Sequence, residues 1–230
     1  RSLGRLDTDH IDVYLVHNFD DETPLEETAR TLDDLVHQGK VRYIGCCNHQ
    51  AWQVCKALWT QHSLNLVSYM CVQNPYNLLH RALEREMFPM VRDQGLGVMV
   101  YSPLAVGLLS GFYTPGEPPP EGSLWARARA DQYEKMMAGP EGKAIETLFE
   151  VASELDKTPA QVALAWVLSH KEVSVAIDAA LTKVQLAQNA DGSFETDGWA
   201  PVLSNSVASM ALSNARAQGY DVSEAVLAQA

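Results

Sequence analysis

Polar side chains recur where successive apolar segments end. His17 closes "HIDVYLVH", Cys47 and Asn48 end "KVRYIGCCN", Gln73 and Asn74 follow "VSYMCV", and Tyr101 and Ser102 close "LGVMVYS". An imidazole, a thiol, amides, a hydroxyl and a phenol supply hydrogen-bond donors, acceptors and a stacking ring. That is equipment for binding by hydrogen bonds and stacking. A single histidine at a strand end is as a rule a hydrogen-bonded structural residue, but four such ends in chain order make a stronger pattern. They read as a binding face whose ligand the residues alone do not name. His10 and His17 lie an odd number of residues apart, so a strand turns them to opposite faces and no metal is expected between them. Adjacent Cys46 and Cys47 are likewise turned apart. There is no GxGxxG after a strand, no P-loop, no HExxH and no GxSxG elbow.

The elements that must position these residues alternate. His10 to His17 is short, β-branched and apolar, and reads as a buried strand. Thr23, Pro24 and Glu26 have the spacing of a capping box with proline at the first helical position. Leu25, Leu32, Leu35 and Val36 then share one helical face, and Gly39 stops the helix. "KVRYIGCC" is the next strand and "AWQVCKALWTQH" the next helix; "VSYMCVQ" is a third strand, Arg81 to Gln94 a helix ended by Gly95, and "LGVMVYS" a fourth strand. Such alternation, with nearly continuous apolar strands, means a parallel sheet covered by helices. The stretch from 103 to 141, with Pro115, Pro118, Pro119 and Pro120, reads as a long irregular loop. A helix from Lys143 to Leu155 follows. Thr158, Pro159 and Gln161 cap another that ends near His170, and "VSVAI" is a fifth strand. Residues 178–230 are alanine-rich, with one polar turn and no strand pattern, and are expected to form a helical tail.

The 230 residues are 47% hydrophobic and 20% charged, the profile of a globular chain with a core. Twenty-nine acids against 17 bases leave a net charge of −12, which argues against nucleic acid or an anionic membrane surface as partner. No apolar run approaches the ~20 residues of a membrane span, and no signal-peptide pattern opens the sequence. Four cysteines without framework spacing fit reduced thiols and a cytoplasmic location.

The segments "SLGRLDTDHIDVYLVH", "TPLEETARTLDDLVHQGKVRYIGCCN", "VQNPYNLLHRALERE" and "YSPLAVGLLSG", in this order, resemble the aldo-keto reductases. The resemblance is to the branch with bacterial reductases and potassium-channel β-subunit relatives, and covers residues 1–177. It implies a (β/α)8 TIM barrel that binds NADP(H) or NAD(H) without a Rossmann motif and reduces a small carbonyl substrate, an aldehyde or ketone. By that resemblance His17 is the active-site histidine that hydrogen-bonds the substrate carbonyl. Cys47, Asn48 and Gln73 stand at the nicotinamide carboxamide, although Cys47 replaces a serine and a thiol is the weaker hydrogen-bonding group. Tyr101 stacks on the nicotinamide, and Ser102, Pro103, Leu104, Ala105 and Val106 line the pyrophosphate. Gln188 and Asn189 fall on adenine-contacting positions. Phe112 replaces a common lysine, and Ala179 and Leu181 replace the usual glycine and the residue that reads a 2′-phosphate.

The family's catalytic tyrosine, its lysine and their aspartate match nothing in this chain, which begins at Arg1 just before the position of the fourth barrel strand. Tyr14 sits three residues before His17, on the other face of its strand, and is no substitute. The fold expected is therefore α/β, an incomplete TIM barrel holding strands 4 to 8 with their helices, followed by an α-helical C-terminal tail. Five strands do not close a barrel of eight, so open edges should favour self-association, and the fragment should lack turnover. The alternative is a non-catalytic nucleotide-binding or assembly fragment. Residues 180–230 also resemble one prenyltransferase or squalene-cyclase α/α repeat, which implies a foreign or fused tail.

Overall fold

A computed structural model describes residues 2–177. A short helix, α1 (Ser2–Leu6), leads into β1 (Ile11–Val16), α2 (Leu25–His37), β2 (Val41–Cys47), α3 (Ala51–Ser63) and β3 (Cys71–Pro75). Then come a 3-10 turn (Ala82–Glu84), α4 (Met87–Gln94) and β4 (Gly97–Tyr101). Four further helices, α5 (Leu124–Ala128), α6 (Ala130–Met137), α7 (Pro140–Glu154) and α8 (Pro159–Leu168), precede β5 (Val173–Ile177). The five strands form one sheet in chain order, and β1 to β4 pair parallel. This is the expected parallel α/β architecture, consistent with part of a (β/α)8 barrel. The helical tail expected over 178–230 lies outside the described residues.

The chain divides into two bodies. Among the described residues the first is 2–101 with Ser169–Val173, and the second is Ser102–Leu168 with 174–177. In the first body the register sorts the side chains into two faces. Val16, Cys46, Val72 and Val98 stand in one row, and Ile44, Cys46, Val72, Val98 and Val100 are wholly buried there. Removing each such aliphatic side chain from water contributes roughly 1.5–3 kcal/mol, so this face is the core. The alternate row, Leu15, Gly45, Cys71 and Gly97, belongs to the opposite face and is small from Gly45 on. Gly45 is obligatory in it, because a Cβ would lie 2.5 Å from the Cys71 main-chain oxygen and 2.8 Å from its sulfur. At the start of β1 and β2 this second face is open, with Val13 and its partner Tyr43 exposed.

Several local expectations change. Thr23 does not cap α2: its hydroxyl donates to Asp20 Oδ2 at 2.6 Å, and Asp20 Oδ1 takes the Glu22 amide at 2.9 Å. These bonds, the Thr23 hydroxyl foremost, hold the Asp20 carboxyl below the usual carboxylate range. Competition from this aspartate turn leaves Pro24 as the N-cap residue, with no side-chain cap. The other end of α2 closes as expected, through Gly39 N–H to Val36 O at 2.9 Å and Lys40 N–H to Leu35 O at 3.1 Å. The third strand begins at Cys71 rather than Val67. The Val67 amide is taken by Asp33 Oδ1 (2.8 Å) and the Tyr69 amide by Gln61 Oε1 (3.1 Å), which removes both from a ladder. No single helix spans 81–94, because Pro89 would clash with the carbonyl four residues back; α4 starts at Met87 and keeps Pro89 in its first turn.

The second body departs most from expectation. The 103–141 stretch contains α5, started by Ser123, whose hydroxyl accepts the Ala126 amide at 3.1 Å, and α6, which has no side-chain cap. Trp125 and Tyr133 are the buried side chains that hold these helices. The next helix begins at Pro140, three residues before Lys143, with proline at its first position. The cap of α8 forms as read: Thr158 N–H meets Gln161 Oε1 at 3.0 Å, and Gln161 N–H meets Thr158 Oγ1 at 3.2 Å.

Candidate active site

The strand period of two decides which end residues can cooperate. Cys47 pairs with Gln73 and Gln73 with Met99, and Tyr101 lies two residues beyond Met99 on the same face. His17 follows Val16, the partner of Cys46, and so stands at the Cys47 level of that face. Four of the expected site residues thus share the face opposite the core. Asn74 does not join them: it is buried on the core side, and its Nδ2 donates to His49 O at 3.0 Å.

Asn48 has the wrong parity for this face and reaches it by another route. Its backbone is left-handed, with φ of 57°, a conformation asparagine tolerates better than most residues. The turn brings its amide across the strand ends. Tyr101 O–H donates to Asn48 Oδ1 at 2.8 Å, while Asn48 Nδ2 donates to His17 O at 3.0 Å and to Asn18 Oδ1 at 3.2 Å. One amide therefore ties β1, β2 and β4 together. Asn18, which sequence reasoning passed over, also donates from Nδ2 to His17 Nδ1, 3.2 Å away. Its only signal is its place beside His17, and no spacing rule marks it.

The three strand thiols, Cys46, Cys47 and Cys71, are buried and not poised to react. Cys47 lies 3.5 Å from Gln73 Oε1, a weak S–H contact, and burial raises its pKa. Burial pushes the Cys71 thiol up to about 11 and raises that of Cys46 as well. All four cysteines are free. Among the described residues no group of three His, Cys, Asp or Glu side chains could hold a metal ion.

Just behind the site His49 is buried, its Nδ1 2.7 Å from Cys47 O and its ring edge-on to Phe19 at 5.4 Å. Burial lowers its pKa, outweighing the opposing hydrogen bond to Cys47. The unfolded chain, with an ordinary histidine near pH ~6.5, then binds this proton more readily than the folded one. His49 stabilises the fold fully above that value, and its contribution is lost as pH falls through the lower folded value. Urea midpoints should accordingly drop from pH ~7.5 to ~5.5, and His49→Gln should flatten that drop while lowering the neutral-pH midpoint.

In the second body the loop after β4 is built from uncommon backbone. Ser102, Ala105 and Val106 have φ of 53°, 51° and 56°. For a β-branched valine this is an outlier, and strained backbone of this kind gathers at functional sites. Pro103 and Leu104 are buried, and Trp125 Nε1–H donates to Val106 O at 3.1 Å, which holds the turn. Gln188 and Asn189 lie outside the described residues.

The family model for the aldo/keto reductase family matches residues 1–197. The chain belongs to the aldo/keto reductase family. Members of this family use NAD(P)H. An uncharacterized oxidoreductase of Bacillus subtilis (strain 168) is 37% identical over 185 residues, covering 80% of this chain and 54% of that protein. A probable voltage-gated potassium channel subunit beta of Oryza sativa subsp. japonica is 33% identical over 189 residues, 82% of this chain and 58% of its own length. Probable aldo-keto reductase 1 of Glycine max is 34% identical over 189 residues, 81% of this chain and 51% of that protein. The chain thus spans about half the length of the curated relatives it matches. The match extends to residue 197, into the segment compared with an α/α repeat, and that second resemblance receives no support. Among the described residues of this aldo/keto reductase chain, no helix is long and apolar enough to cross a membrane.

Proposed function

We propose that this aldo/keto reductase chain binds NAD(P)H at the ends of β1 to β4 and serves the reduction of small aldehydes or ketones. The observation that carries the reading is the bonded set Tyr101–Asn48–His17, on one face with Cys47 and Gln73. The donor set fits a carboxamide on a flat ring. Both N–H bonds of Asn48 are spent and one lone pair of its oxygen remains to accept, while the Gln73 oxygen takes the Cys47 thiol and its NH2 is left to donate. The Tyr101 ring, half-buried and tethered by its hydroxyl, would stack. When bound, the cofactor supplies a hydride. His17 would hold the substrate oxygen, Ser102 to Val106 would follow the phosphates, and Gln188 and Asn189 would take the adenine.

Protonating the carbonyl oxygen needs a positioned acid. The Tyr101 hydroxyl is engaged with Asn48, and Tyr14 pairs with Ile44 in the row opposite the site. The reading is therefore cofactor binding without turnover by this chain alone. Fluorescence titration with NADPH should saturate, and mixing with 4-nitrobenzaldehyde should consume no NADPH. No saturable signal up to about 1 mM, a free energy of about −4 kcal/mol, would overturn the binding half. Reduction abolished by His17→Ala would overturn the other half. Exposed Val13, Tyr14 and Tyr43 support self-association through the open β1 edge as part of the same reading, and the free cysteines support a cytoplasmic setting.

A further inference from the structure

One atom sets the polarity of the whole hydrogen-bond chain at the strand ends. The main-chain oxygen of His17 can only accept, so the group that Asn48 turns toward it at 3.0 Å is its NH2. The Asn48 oxygen then faces Tyr101, whose hydroxyl must donate. The second N–H of Asn48 points to Asn18, so the atom it meets at 3.2 Å is the Asn18 oxygen. That leaves the Asn18 NH2 facing the His17 ring, 3.2 Å from Nδ1. An amide NH2 donates and does not accept, so Nδ1 is the acceptor and bears no proton.

We propose that Asn18 is a positioning residue that holds neutral His17 in the Nε2–H tautomer, with the Tyr101 hydroxyl anchoring the far end of the chain. The amides occupy Nδ1, and the N–H at Nε2 is the donor that the ring can present to a ligand. The sequence of donors runs Tyr101, Asn48, Asn18, His17, and reversing any one of them would set two acceptors or two donors face to face. The use of that donor on a carbonyl oxygen rests on the reductase reading above. The tautomer itself does not, and the two fail separately.

The test is a long-range 1H–15N correlation spectrum of the histidine-labelled full chain, recorded at alkaline pH. The His17 signals are identified by their loss in His17→Gln. Wild type should show a pyridine-type Nδ1 and a pyrrole-type Nε2. Asn18→Asp offers Nδ1 acceptors only and should invert the tautomer, making Nδ1–H the majority form. Asn18→Leu offers neither and should reduce the Nε2–H excess. A pyrrole-type Nδ1 in wild type overturns the proposal, as does an unchanged tautomer in Asn18→Asp. If the aspartate variant does not fold, an undiminished Nε2–H excess in Asn18→Leu overturns it. These signals are independent of turnover, and a failure to bind NADPH would leave them unchanged while ending the reductase reading.

Discussion

Gly142→Ala is expected to destabilise the second body by about 3 kcal/mol or more, above the usual ~1–3 kcal/mol of an overpacked core position. Gly142 is buried in the first turn of α7, directly after the reversal from α6. A methyl group there would overlap the main-chain oxygen of Met137 and lie 2.7 Å from its carbonyl carbon. Both groups are backbone, so no rotamer change relieves the clash. The two helices would have to move apart, and the layer that buries Tyr133, Ile145 and Leu148 would open with them. Urea unfolding checks this: the midpoint should fall by on the order of 1 M or more. Gly4→Ala is the control, since a methyl on Gly4 meets nothing within 4 Å, and its midpoint should stay or rise slightly. A Gly142→Ala midpoint equal to wild type would mean that α6 and α7 do not approach this closely.

Asn48→Ala is expected to weaken NADPH binding about tenfold or more, equivalent to ~1.4 kcal/mol upward, and to lower stability as well. The substitution removes the acceptor for the Tyr101 hydroxyl and both donors to β1. It also places a Cβ with no compensating side-chain bond at φ of 57°, a cost of roughly 1–2 kcal/mol. Asn48→Gly separates the two effects, because glycine accepts the left-handed backbone but offers no amide. If the amide organises the site, titrations of both variants should show the same weakened affinity, with Asn48→Gly the more stable of the two in urea. Wild-type affinity in Asn48→Gly would assign the whole effect to the backbone and remove the side chain from the site.

Much of the fold was legible because short-range rules decide it. The strand of β1 follows from a β-branched apolar run, the end of α2 from Gly39, and the start of α8 from Thr158 and Gln161 acting on each other's amides. Where a local rule failed, a competing local group had taken the atom concerned. Asp20 took the Thr23 hydroxyl from α2, and Asp33 and Gln61 took the amides that would have lengthened β3. The helices α5 and α6 were hidden because the neighbouring prolines are read at once. Their buried anchors, Trp125 and Tyr133, gain meaning only when they pack.

The same division runs through the candidate site. Period-two alternation places His17, Cys47, Gln73 and Tyr101 on one face once the strands are parallel and in register. By itself the sequence determined which side chains end the strands and which family they resemble. Only the tertiary structure decided that Asn48 turns left-handed to bridge three strands, that Asn18 stands against the His17 ring, and that Asn74 faces the core instead. The physical reason is directional. Alternation sets the side of the sheet to which a side chain points, but a hydrogen bond also needs partners from distant segments at the right distance and polarity, and packing alone brings those together.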